Sequence, residues 1–178
     1  MFSLLKLMQK SQQQQPESTP EVDAESAVRN LVLRRLTQRA YTRHQLEEYL
    51  ARKNADSEVV SKVLDRFSEV GLIDDAEYAA EFVRARRAVK GSGPSVLRME
   101  LKKRGISEEL ILKAVEDRTG EDIDVARDIA HRKLQSLSRF DAATQNRRLV
   151  SFLVRRGYSA SLAYGLVREL IAAVEADD

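Results

Sequence analysis

Apolar residues recur along most of this chain with the period of an α-helix. Val28, Leu31 and Val32 lie on one face of a predicted helix, and Leu36 continues that face one turn later. No segment shows a convincing alternation of apolar and polar residues of the kind that marks a half-buried strand. The pattern therefore predicts an all-α protein.

The apolar pattern occurs three times. When the chain is shifted by 51 residues and then by a further 52, three segments align without a gap, and Leu50 falls on Leu101 and then on Leu153. Self-similarity at a fixed period indicates tandem structural repeats. The predicted repeats occupy residues 27–73, 74–120 and 121–178.

Capping signals divide each predicted repeat into three helices. Thr42 and Gln45 form a predicted capping box, and Asp56 is a favourable cap for the helix that follows. Ser107 and Ser159 occupy the positions in the second and third repeats that align with Asp56. The sequence therefore predicts nine helices.

One aligned position requires a particular backbone conformation. Asn54, Gly105 and Gly157 fall between the second and third helices of the three repeats. A helix often ends in a left-handed residue, for which Gly is the first choice and Asn the second. A left-handed residue is therefore expected at all three places. Stacked end to end, such repeats bury surface against one another, which favours an elongated, curved rod over a compact nine-helix globule.

The N-terminal residues are predicted to lie outside the repeats. Gln12–Gln15 and the two prolines that follow predict a disordered tail over residues 1–26. The apolar stretch Met1–Met8 is too short to span a bilayer. Docking of that stretch onto a partner or a membrane surface is the alternative.

The small net charge of +2 hides separate charged segments. Residues 84–104 carry eight basic residues and one acid, and residues 127–156 carry eight basic residues and two acids. Acidic segments at 56–81 and 107–124 flank the first of them. Such basic segments are candidates for contact with phosphates or an acidic protein surface. The candidate binding residues are Arg84, Arg86, Arg87, Lys90, Arg98, Lys102, Lys103, Arg104, Arg147, Arg148, Arg155 and Arg156.

Some of these cations have a second explanation. The second helix of each repeat ends in a basic pair, Arg52–Lys53, Lys103–Arg104 and Arg155–Arg156. A cation at the C-terminal end of a helix interacts favourably with the helix dipole, by about 0.3–1 kcal/mol. The dipole alone could explain the pairs. It does not explain Arg147 and Arg148, which are expected near the start of a helix.

Residues with the spacing of a catalytic or metal site are missing from the sequence. There is no Cys, and the two histidines, His44 and His131, are far apart and lack a second ligand at metal-binding spacing. Gly91-Ser92-Gly93 lacks the remaining residues of a phosphate-binding loop and is interpreted as a flexible joint. We therefore expect no enzymatic activity, no cofactor and no metal. The absence of Cys fits a reducing cytoplasm.

Several local motifs resemble those of the RecX family. They are Gly71-Leu72-Ile73-Asp74-Asp75, Tyr78-Ala79, Phe82-Val83, Arg86, Gly93-Pro94, Leu97, Glu100-Leu101 and Lys103-Arg104-Gly105-Ile106. The likeness is specific over residues 27–118 and looser in the third repeat. Asn54 departs from the family pattern, which has Gly at the end of this helix.

The resemblance implies a function as well as a fold. Members of the family bind in the groove of the RecA–DNA filament and inhibit ATP hydrolysis, strand exchange and coprotease activity. It thus implies a cytoplasmic, monomeric, non-enzymatic regulator in homologous recombination, DNA repair and the SOS response. The expected partner is the RecA nucleoprotein filament, with single- and double-stranded DNA as further candidates and no membrane.

Two other functions fit the charge pattern. A general helical DNA-binding protein would use the third helix of each unit for recognition, but the stretches Asp56–Glu69 and Ser107–Asp117 are net acidic. A scaffold that binds only proteins would show no salt-sensitive binding to nucleic acid. Sedimentation with RecA filaments and with bare single-stranded DNA separates these alternatives.

Overall fold

A computed structural model describes residues 20–116 and 119–177, and these residues form nine α-helices and no strand. The all-α prediction is therefore confirmed. In chain order the helices are α1 (Pro20–Leu36), α2 (Arg43–Ala51), α3 (Ser57–Glu69), α4 (Asp75–Lys90), α5 (Pro94–Lys102), α6 (Glu108–Glu116), α7 (Thr119–Gln135), α8 (Ala142–Arg156) and α9 (Ala160–Asp177).

The first helix begins earlier than the sequence pattern suggested. Residues 20–26 were predicted as part of a disordered tail, but they lie in α1. Proline suits the first turn of a helix because its fixed φ is helical and its missing N–H is not needed there, and Pro20 opens α1. Glu25 then pairs with Lys62 of α3 at 3.2 Å. Residues 1–19 lie outside the described residues.

The helices enclose three separate apolar cores. One extends from Val28 to Ile73, the next from Ala79 to Val115, and the third from Ala126 to Val167. The aligned leucines Leu50, Leu101 and Leu153 each belong to a different core, and all three are 0% exposed. Equivalent positions in the predicted repeats are therefore buried equivalently.

The described residues divide into two compact units. Residues 20–41 and 46–73 form the first unit. Residues 42–45, 74–116 and 119–177 form the second, so the described parts of the predicted second and third repeats lie together in one unit.

Local chemistry at the helix ends matches the sequence. Thr42 Oγ1 accepts a hydrogen bond from the Gln45 N–H at 3.2 Å, and Gln45 Oε1 accepts one from the Thr42 N–H at 3.3 Å, which completes the capping box. Asn54 has a φ of 55°, while Gly105 and Gly157 have φ values of 76° and 98°. The predicted left-handed residues are thus present in all three repeats.

The segment predicted as a flexible joint is packed. Gly91, Ser92 and Gly93 are all buried. The Gly93 N–H donates to the Arg156 carbonyl at 2.7 Å, and the Tyr158 hydroxyl donates to the Gly91 carbonyl at 3.3 Å. The interpretation as a flexible joint was therefore wrong, because the glycines permit close backbone packing here.

Candidate basic interaction surface

Six of the twelve candidate binding residues are exposed cations. Five lie on α4, α5 and α8, and one directly follows α5. They form no ion pair with any residue that the structure describes, although Arg148 also lies over the Phe140 ring at 3.9 Å. This set, called the free cations below, consists of Lys90, Lys102, Lys103, Arg147, Arg148 and Arg155. The absence of a nearby carboxylate leaves their charge available to an anionic partner.

Arg87 is not part of the accessible surface. Its side chain is 4% exposed, its Nε lies 2.7 Å from Asp122 Oδ1, and its Nη2 donates to the Val115 carbonyl at 3.0 Å. The prediction that Arg87 belongs to an accessible binding surface was therefore wrong. A carboxylate distant in sequence holds the guanidinium inside the fold.

Two further candidates are already paired, one exposed (Arg84) and one half-buried (Arg98). Arg84 Nη1 lies 2.6 Å from Glu81 on the same helix, and Arg98 Nη2 lies 3.3 Å from Glu116 of α6. Exposed pairs of this kind contribute about 0–1 kcal/mol. A stronger anion could therefore displace the carboxylate at little cost to folding.

Three candidates lie against aromatic rings and are half-buried. Arg86 and Arg104 both lie over the Phe82 ring, with the guanidinium carbon 5.0 and 4.3 Å from its centre, and Arg156 lies 5.0 Å from the centre of Phe152. A guanidinium over an aromatic face is held by the ring quadrupole as well as by packing. These three arginines therefore have a structural role.

In the second compact unit, basic pairs lie at the ends of α5 and α8. The two residues of each pair differ in exposure. Lys103 and Arg155 are exposed, whereas the residues that follow them, Arg104 and Arg156, are half-buried against rings. The helix dipole explains the position of both members, but only the first of each pair is available to a partner.

The positions of Arg147 and Arg148 on α8 do not conflict with the helix dipole. The helix begins at Ala142, where Asp141 accepts a hydrogen bond from the Thr144 N–H at 2.9 Å, and backbone hydrogen bonding lowers the pKa of that carboxyl. Arg147 and Arg148 follow the first turn, beyond the reach of most of the dipole effect. The expectation that they lie at the start of a helix was therefore wrong. Arg148 and Arg155 are seven residues apart and share one face.

Family models match all three predicted repeats. The first three-helix domain of RecX matches residues 29–67, the second matches residues 74–115, and the third matches residues 120–166. The chain belongs to the RecX family. The third repeat, where the motifs were looser, is therefore also a RecX domain.

Similar proteins share most of the chain's length. The regulatory protein RecX of Thermobifida fusca is 40% identical over 163 residues, which is 90% of this chain and 88% of that protein. The regulatory protein RecX of Mycolicibacterium smegmatis is 40% identical over 149 residues, or 80% and 79% of the two chains. The crystal structure of RecX from Lactobacillus salivarius has a TM-score of 0.77 at 22% identity, and the match covers 83% and 97%.

The third RecX domain contributes two cations that the sequence did not single out. Arg132 and Lys133 of α7 line a cavity together with Lys90 and Arg156. They lie in the basic segment 127–156, but charge alone gave no reason to choose them. That they lie beside Lys90 and Arg156 becomes apparent only in the folded structure.

Among residues 20–116 and 119–177, no group of three or more His, Cys, Asp or Glu side chains is placed to hold a metal ion. Over the same residues, no helix combines the length and apolar character needed to cross a bilayer.

Proposed function

We propose that this RecX-family protein binds in the groove of the RecA–DNA filament and inhibits RecA ATP hydrolysis, strand exchange and coprotease activity. The observation that carries the proposal is the set of free cations, which are exposed and lack carboxylate partners in the described structure. These side chains lie outside the apolar cores. Their charge suits a partner that presents phosphates and acidic side chains.

Repetition supports binding along a filament. Lys103 and Arg155 occupy corresponding positions at the ends of α5 and α8, so two RecX domains present a cation in the same local setting. A filament offers the same site at regular intervals, and linked weak contacts add up to a strong one. A protein bound to several protomers would hold them in one arrangement and so oppose the changes that accompany ATP hydrolysis.

The test replaces four free cations with glutamine, which keeps a polar side chain but removes the charge. We expect Lys102, Lys103, Arg147 and Arg155, changed together, to weaken sedimentation with RecA–DNA filaments and inhibition of ATP hydrolysis in parallel. The melting temperature should change little, since exposed substitutions usually stay within about 0.5 kcal/mol each. Binding should also depend less steeply on salt, by up to about one unit of logarithmic slope for each phosphate that is no longer neutralised.

The matched control removes four other cations. Lys62 and Arg66 of α3, Lys113 of α6 and Arg127 of α7 are exposed and belong to no part of the free-cation set. Their glutamine variant should bind and inhibit as the parent does. Equal binding by both variants at every salt concentration would show that the filament contacts a different surface.

Two comparisons separate the alternative functions. A general DNA-binding protein should bind bare DNA as tightly as it binds the filament, with the free cations equally important for both. A protein-only scaffold should bind RecA without DNA and show no salt-sensitive binding to nucleic acid. The proposed function predicts tighter, salt-sensitive sedimentation with assembled filaments than with either component alone.

A further inference from the structure

Five of the thirteen residues that line a cavity in the second compact unit are cations. Its volume is about 630 Å³, and it lies between the last turn of α4, the second half of α7 and the end of α8. Binding cavities for small molecules commonly have volumes of about 300–1,000 Å³, so this one is large enough for a nucleotide. Its charged lining consists of Arg87, Lys90, Asp128, Arg132, Lys133 and Arg156.

Most of this positive charge has no internal counter-charge. Lys90, Arg132 and Lys133 form no ion pair within the described parts of the chain, and Arg156 contacts an aromatic ring. Arg87 is the exception, because Asp122 neutralises it. Asp128 is the single acid in the lining.

The dipoles of the neighbouring helices do not cancel the excess positive charge in the cavity. Helices α4, α7 and α8 all end beside the cavity, and each C-terminal end contributes about half a negative charge. The four cations other than Arg87 exceed Asp128 by three charges. The site therefore keeps a net positive charge of roughly one and a half after the helix ends are counted. The dipole can explain why one cation stands at each helix end, but it does not require four cations to face one concave site.

The remaining lining suits more than an inorganic ion. Val89, Val125 and Phe152 provide apolar surface, and Ser136 also lines the cavity. The cations would bind the phosphate oxygens, and an attached base would cover the apolar wall.

We propose that this cavity binds the phosphate of a nucleotide, either free or within a single-stranded DNA chain. The proposal goes beyond filament binding and does not depend on it, since none of the four residues changed to test the filament surface lines the cavity. The two sources share one chemistry, namely a phosphate carrying a flat base.

The experiment uses the full chain without RecA. Calorimetric titration with pyrophosphate and with ATP tests free ligands, and fluorescence anisotropy with a short labelled oligothymidylate tests a DNA strand, both at low salt. The first variant changes Lys90, Arg132 and Lys133 to Gln. The second, Ser136→Glu, places a carboxylate in the lining without removing a cation.

We expect both variants to bind at least one probe about tenfold more weakly than the parent does, because the attraction of the site for phosphate is electrostatic. Loss of ATP and pyrophosphate binding alone identifies a free nucleotide as the ligand. Loss of oligonucleotide binding alone identifies a phosphate of the DNA strand. Far-ultraviolet circular dichroism and thermal melting should show that both variants fold.

The control changes Lys62, Arg66 and Lys113 to Gln, which removes the same charge from residues outside the cavity. It should bind the affected probe within about twofold of the parent. The proposal is overturned if the parent binds none of the probes. It is also overturned if the cavity variants bind as the parent does, or if the control loses as much binding as they do.

Discussion

The guanidinium of Arg87 and the carboxylate of Asp122 form a sealed ion pair, with Nε 2.7 Å from Oδ1 and both side chains 4% exposed. Arg87 belongs to α4 and Asp122 to α7, while the Arg87 Nη2 atom donates to the last turn of α6 through the Val115 carbonyl. One side chain therefore connects three helices of the second compact unit, across the predicted boundary between the second and third repeats.

Replacing Arg87 with Ala should destabilise the protein strongly. The substitution leaves Asp122 buried without its cation, and breaking a buried pair by removing one partner typically costs about 3–5 kcal/mol. Urea denaturation followed by circular dichroism measures the loss. Arg87→Met combined with Asp122→Leu should recover much of it, because no buried charge then remains.

Arg84→Ala is the matched control on the same helix. Its partner, Glu81, lies 2.6 Å away, but both side chains are more than half exposed. Such a pair contributes about 1 kcal/mol at most. Equal denaturation midpoints for the Arg84 and Arg87 variants would contradict the structural role assigned to Arg87.

The difference between Arg84 and Arg87 also shows what the sequence alone could not predict. Both are arginines in one basic segment, three residues apart, and charge patterning treats them alike. What separates them is Asp122, which is 35 residues from Arg87 in sequence and meets it only in the folded unit. No local pattern specifies that meeting, so the candidate site included a residue that the fold buries.

Local chemistry was far more predictable. The capping box at Thr42 and the left-handed residue Asn54 follow from the side-chain and backbone preferences of a few neighbouring residues. Helix periodicity likewise predicted which leucines are buried. By contrast, the packing of Gly93 and the cavity beside Arg132 depend on contacts between distant segments. The fold was therefore predictable at the level of the repeat, and the surface only in part.

Leu101→Ala tests the equivalence of the repeats. Leu101 and its aligned partner Leu153 are both 0% exposed in separate apolar cores. Each alanine variant should lose about 2–5 kcal/mol, from the reduced transfer energy and from the cavity left behind. Thermal melting gives the comparison.

Met99→Ala, on the same helix as Leu101 but 64% exposed, should melt near the parent temperature. An unchanged melt for Leu101→Ala would show that the apolar alignment does not identify core positions.

Tyr158 should make stability sensitive to alkaline pH. Burial, with a smaller contribution from the nearby Asp122 carboxylate, raises the pKa of its phenol from the ordinary 10.0 to about 12. Between those values the unfolded chain releases the proton and the folded chain keeps it, so the free energy of unfolding falls as pH rises. The contribution is complete below pH 10 and is lost as pH rises through 12.

Tyr158→Phe isolates this effect. At neutral pH the variant loses the hydrogen bond to the Gly91 carbonyl, which contributes about 0.5–1.5 kcal/mol. Because phenylalanine cannot ionise, the advantage of the parent should shrink between pH 10 and pH 12. Urea denaturation at several alkaline pH values measures both proteins. Parallel curves throughout would mean that the phenol does not titrate as the burial implies.

Gly93→Ala tests whether the joint between α4 and α5 requires close backbone packing. The φ of Gly93 is −83°, which suits any residue, so the objection to a side chain is purely spatial. A Cβ there would lie 2.6 Å from the Gly157 carbonyl carbon, and backbone cannot yield as a flexible side chain can. We expect a loss of about 1–3 kcal/mol from overpacking, measured by urea denaturation. Gly165→Ala is the control, because a Cβ meets nothing within 4 Å in α9 and alanine favours a helix by up to about 1 kcal/mol. If the Gly93→Ala variant were as stable as the Gly165→Ala variant, Gly93 could move away from the Gly157 backbone at no cost. The packed joint between α4 and α5 would then be refuted.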